Sequence, residues 1–153
     1  KRFGKLIVAD ALPGFPASGK EPLRGLAARV ASEGMQGALD IAVRRMFPEE
    51  FVAAHPDIVA ERKEALLRSA EPNAFRRAAL ALVDLDLAPA LATIGNPTLV
   101  LCGALDRTTP PEIARQLAQG IPGARYEDIP ECGHCPQVQK PEALVRQVVA
   151  FAA

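Results

Sequence analysis

The feature that most constrains the fold is the run Pro97-Thr98-Leu99-Val100-Leu101-Cys102-Gly103, in which apolar side chains follow one another without a charge. Successive strand side chains point to opposite faces, so a strand of this kind must be covered on both sides. Parallel strands sandwiched between helices meet that demand. A second run of the same kind, Lys5–Asp10, is followed by the turn-forming Pro13 and Gly14. A third, Ala124–Ile129, is more polar, with Tyr126 and Ile129 as its larger apolar residues, as suits an edge strand.

Between the first two runs the spacing changes from strand to helix. Leu23, Leu26, Ala27, Val30 and Ala31 repeat at helical intervals, as do Met35, Leu39, Ala42, Val43 and Met46, and again Phe75, Ala78, Ala79, Leu82 and Val83. Asp57–Arg68 is helix-prone with a poor apolar stripe, and Pro48, Pro56, Pro72 and Pro89 fall near helix starts and breaks. This stretch far exceeds the roughly dozen residues that a parallel crossover needs, so it predicts an inserted helical subdomain. After the second run, Thr109-Pro110-Pro111-Glu112 has the form of a capping box. It predicts a helix that buries Ile113, Leu117 and Ala118 and stops at Gly120. Pro141 opens a last helix, with Leu144, Val145, Val148 and Val149 expected on one face.

The order strand, helices, strand, helix, strand, helix predicts an α/β fold with three parallel strands and flanking helices. It divides the chain into a first strand with its loop (1–14), a helical insertion with its return helix (15–90) and a C-terminal core (91–153). The strongly apolar first strand asks for a neighbour on its other side. The expectation is therefore a chain lacking an N-terminal part.

Composition excludes several classes of function. With 49% hydrophobic and 24% charged residues, the 153-residue chain can bury a core, and disorder is not its global state. Lys plus Arg equals Asp plus Glu at 18 each, so no net charge draws it to nucleic acid or to an acidic membrane. Aromatic residues make up 5% and Trp is absent, which leaves little for base stacking. No apolar run reaches the roughly 20 residues that span a bilayer. Three cysteines, an odd number, do not fit a secreted disulfide framework and point to a reducing cytoplasm.

Functional groups in open α/β sheets gather beyond the carboxyl ends of the strands. Two loops answer that rule: Gly103–Pro110 after the second strand and Ile129–Pro136 after the third. Parallel neighbours bring them to the same end of the sheet. Asp106 and His134 could then meet, although 28 positions separate them. A buried carboxylate on one ring nitrogen fixes the tautomer and stabilises the imidazolium. The other nitrogen can then take a proton from a nucleophile and return it to a leaving group. Gly133, before the histidine, would allow a close backbone approach or an unusual turn.

On these residues the chain resembles the α/β-hydrolase family, from the sixth strand of its sheet onward. Pro97–Pro110 is similar to the family's acid-bearing strand and loop: Pro, an apolar run, Gly, Asp106 and then Pro110. Cys132-Gly133-His134, with Pro141 beyond, is similar to its histidine loop, and the order acid then histidine is the family's order. Glu33-Gly34-Met35, a helix and Phe47-Pro48 resemble the 3-oxoadipate enol-lactonase-like members. The resemblance implies a serine hydrolase for ester, lactone or similar acyl bonds, with Asp106 and His134 as catalytic residues. It implies a helical cap at roughly residues 15 to 90 and a small-molecule substrate, with no metal or organic cofactor. It also implies a serine in an N-terminal part of the same protein. No Gly-x-Ser-x-Gly elbow occurs here, and Ser18, Ser32 and Ser69 have no such context. Gln139 departs from the acidic residue that many relatives carry.

Other readings compete with this one. A related fold member could dehalogenate or hydrolyse C–C bonds, and a non-catalytic relative could only bind ligand. Cys132-Gly133-His134-Cys135 has the letters of a thiol–disulfide oxidoreductase motif. Such a site opens a helix early in its fold, whereas only 18 residues follow here. Zinc would need a fourth ligand beyond Cys132, His134 and Cys135, from a distant group such as His55. Cys102 reads as a small buried strand residue, and the Arg44-Arg45 and Arg76-Arg77 pairs as solvated helix faces.

Overall fold

The structure is a computed structural model and describes residues 3–153. In chain order its elements are β1 (Leu6–Ala9), α1 (Ala17–Glu33), a 3₁₀ turn (Gly34–Ala38), α2 (Leu39–Met46), α3 (Glu49–Ala54), α4 (Pro56–Ser69) and α5 (Pro72–Asp84). There follow a second 3₁₀ turn (Ala88–Thr93), β2 (Thr98–Gly103), α6 (Pro111–Gly120), β3 (Arg125–Ile129), α7 (Pro136–Gln139) and α8 (Pro141–Ala152). Prolines stand in the first turns of α4, α5, α6, α7 and α8, where the missing N–H costs no helical hydrogen bond.

The chain forms two compact units. The strand-bearing unit takes the described residues up to Pro13, then Met46–Pro48 and Leu87–Ala153. Its sheet has the order β1-β2-β3, all parallel, with Ile7 opposite Leu99 and Leu101 opposite Glu127. Every residue of the central β2 is buried, as its uninterrupted apolar run requires. Val100 and Cys102 pack with Ala114, Leu117 and Ala118 of α6 and with Leu91 and Ile121 in one cluster. Leu99 and Leu101 alternate with them and are also fully buried. β3 is the most polar strand, and of its residues only Ile129 is buried.

The helical unit comprises Gly14–Arg45 and Glu49–Asp86. Its core joins Leu26 and Val30 of α1 to Met35 and Ala38, with Phe75 of α5 packed against them. The first turn of the stretch expected to be helical from Met35 is a 3₁₀ turn, and α2 begins at Leu39. At α5 the Glu71 carboxylate caps the helix by accepting from the Asn73 and Ala74 amides, which holds its pKa below the ordinary value.

Two local expectations are corrected. The capping box at Thr109 does not form, because Pro110 is the N-cap of α6 and the Thr109 hydroxyl turns to a carboxylate instead. The four apolar residues of α8 do not share a covered face. Val145 is 57% and Val149 60% exposed, while Leu144 and Val148 are half-buried. Among the described residues no helix is long and apolar enough to cross a membrane.

Candidate active site

Backbone hydrogen bonds sew the two loops together. Beyond β2, the Ala104 amide donates to the Ile129 carbonyl at 3.0 Å and the Leu105 amide to the Cys132 carbonyl at 2.8 Å. This approach requires glycine at 103, where a Cβ would lie 2.1 Å from the Gly133 oxygen and 2.5 Å from that of Cys132. Gly133 is needed for the same reason and not for an unusual turn. A Cβ there would meet Pro48 Cδ at 2.7 Å and the Met46 oxygen at 3.1 Å, and its φ is not positive. The histidine loop is held by two further bonds, from the His134 amide to the Met46 carbonyl and from the Gly133 amide to Gln139 Oε1, both at 3.0 Å. Gln139 thus accepts a main-chain donor with a neutral amide oxygen.

The loops bring the two predicted side chains into contact. His134 Nδ1 lies 2.8 Å from Asp106 Oδ2. The same oxygen accepts from the Thr109 hydroxyl at 2.5 Å, while Oδ1 accepts from the Thr108 and Thr109 amides at 2.7 and 3.0 Å. The Asp106 side chain is fully buried and that of His134 is 27% exposed. Burial alone would raise the Asp106 pKa. The hydrogen bonds from His134 and Thr109 outweigh it and hold the carboxyl below its ordinary value. The charged carboxylate therefore persists in the interior, fixed in orientation by its own turn. His134 Nε2 takes no partner among the described residues, so that nitrogen is available to a reacting group.

A second carboxylate, which the sequence reading overlooked, lies beside the pair. Asp10 follows β1 directly, with φ at 47°, and its Oδ1 accepts the Gly103 amide at 2.9 Å. Burial pushes its pKa up to about 6; the Gly103 hydrogen bond works against this, the Asp106 charge adds to it and His134 opposes it. Its position beyond the carboxyl end of a parallel strand was the available signal. Thr109 carried no such signal, because its pattern fitted a helix cap.

The cysteines lie close to the pair. Cys102, Cys132 and Cys135 are buried and stand outside any disulfide. Burial and neighbouring charges push the Cys102 and Cys132 thiols up to about 12, the opposite of the lowered pKa that thiol exchange needs. A ligand atom from each of Asp10, Cys102 and Asp106 lies within 4.8 Å of the others. The Asp106 oxygens are already engaged, and the Cys102 thiol donates to the Gly103 and Thr109 carbonyls.

Adjacent loops beyond two parallel strands thus present a carboxylate and an imidazole to each other. Residues 1–147 match the alpha/beta hydrolase family, and the chain belongs to it. It is similar to the pimeloyl-[acyl-carrier protein] methyl ester esterase of Vibrio campbellii, at 29% identity over all of this chain and 62% of that protein. Among solved structures, it is similar to a thermophilic esterase from Thermogutta terrifontis, at 29% identity and a TM-score of 0.82, over 97% of this chain and 55% of the other. The enol-lactonase of Burkholderia xenovorans superposes with a TM-score of 0.90 at 24% identity, over 99% of this chain and 56% of the other, a likeness of fold. The chain spans little more than half the length of these relatives.

Proposed function

We propose that this chain is the acid-and-base half of a serine hydrolase acting on ester, lactone or similar acyl bonds. The observation that carries the reading is the 2.8 Å contact between Asp106 Oδ2 and His134 Nδ1, made on a carboxylate whose other acceptor positions are taken by its own loop. Asp106 orients the ring and stabilises the imidazolium. His134 Nε2 takes the proton of a serine hydroxyl as the serine attacks the acyl carbon, then gives it to the leaving alkoxide. Water repeats the cycle to release the acid. The serine and the donors for the oxyanion come from residues outside these 153. The family's esterase relatives support acyl transfer, and no step calls for a metal or organic cofactor.

The test uses the protein as its gene encodes it, assayed against p-nitrophenyl esters and small lactones. We expect hydrolysis, and covalent inactivation by an organophosphonate. The His134→Ala variant should retain its circular dichroism and lose activity by at least roughly a thousandfold. Turnover that survives in folded His134→Ala would overturn the proposal.

A further inference from the structure

Asp10 ends its strand in an unusual way. In a parallel ladder the bonds alternate along the strand, so after the Asp10 amide has donated to the Leu101 carbonyl, the next bond runs from the Gly103 amide to the main-chain oxygen of residue 10. With φ at 47°, the backbone of Asp10 turns out of the strand. The side-chain Oδ1 takes the Gly103 amide in its place. Only a short acceptor side chain can do this, and Asp is among the few residues that tolerate such a φ.

Gly103 is the residue from which the Asp106 loop departs, and it is also the point on which the histidine loop rests. The Asp106 amide donates back to the Gly103 carbonyl at 3.0 Å. One side chain therefore fixes the peptide to which both loops are referred.

We infer that Asp10 is a positioning residue for the Asp106–His134 pair, its carboxylate replacing its own main-chain carbonyl at the end of the ladder and anchoring the Gly103 amide. The inference rests on the proposed hydrolase reading for its kinetic consequence alone. The charge is retained in a setting that disfavours it. Asp106 and His134 face it from the two loops, with the thiols of Cys102 on β2 and Cys132 on the histidine loop also near. Of these, His134 as imidazolium is the one group that favours the ionised form. Protonation near pH 6 weakens the acceptor on Gly103 and removes a negative charge from beside the pair.

Two variants separate anchoring from charge. Asp10→Asn keeps an acceptor and tolerates the φ but cannot ionise; Asp10→Gly relaxes the backbone and removes the acceptor. In the gene-encoded protein, kcat of Asp10→Gly should fall by about tenfold or more with KM little changed, as a shift of the loop misplaces the imidazole. Asp10→Asn should restore kcat to within roughly threefold of wild type, because the anchor remains. By NMR, the wild-type Gly103 amide signal should show an inflection near pH 6 that both variants lack. Asp10→Asn should also unfold at higher urea than wild type at pH 7.5 and at equal urea below pH 4. The folded pKa is raised, so ionisation costs stability as pH rises through about 6. Wild-type kcat in Asp10→Gly, or a wild-type Gly103 amide without an inflection near pH 6, would overturn the inference. A wild-type protein without hydrolase activity would instead sink the functional reading and leave the NMR arm to decide this one.

Discussion

Asp106 is held by four contacts, and each does a different job. The Thr108 and Thr109 amides keep the carboxylate charged within a turn, while the Thr109 hydroxyl and His134 share Oδ2. Because the folded pKa is depressed, the stability this group contributes is complete above the ordinary carboxylate range and is lost as pH falls through the lower folded value. Thr109→Val removes one donor and raises that value. The variant should lose about 1–2 kcal/mol at neutral pH, the cost of an acceptor left short of a buried partner. That difference should shrink on acidification as Asp106 protonates, which urea unfolding at a series of pH values would reveal. Gly103→Ala tests the close approach. Its Cβ would meet two backbone oxygens that cannot move independently, so a loss of roughly 2–4 kcal/mol is expected, with reduced hydrolysis. Asp106 and His134 were legible in the sequence because each follows a strand within a recognisable loop. Asp10 follows a strand too, but in a single letter with no pattern around it.

The strands follow from their composition. β2 is central and buried because its run offers no polar face, and β3 lies at an edge because its residues do. Leu101 is fully buried, so Leu101→Ala should cost about 2–5 kcal/mol in chemical denaturation. α8 was legible as a helix but not in its orientation. Its apolar residues cover more than one face, so periodicity allowed several rotations about its axis, and the one adopted exposes Val145 and Val149. The Thr109 cap failed for a reason within its own loop: Pro110 takes the N-cap position, and the Thr109 hydroxyl donates to the charged carboxylate of Asp106 three residues back. α3 and the short α7, six and four residues long, are too brief for any periodic signal.

At the scale of the whole molecule, two units have separate cores. Val30 and Val100 belong to different clusters, so the losses from Val30→Ala and Val100→Ala should add to within about 0.5 kcal/mol in the double variant. Strong coupling in a double-mutant cycle would show that the two cores do not act separately. The sequence by itself determined the α/β order, the parallel sheet and the two loops that carry Asp106 and His134. It could do so because strand and helix periods, prolines and glycines act over a few residues at a time. Tertiary structure alone decided that Asp10 would anchor Gly103 and that burial would hold the Cys102 and Cys132 thiols protonated. Those outcomes depend on distances between segments far apart in the chain and on how deeply each group is buried.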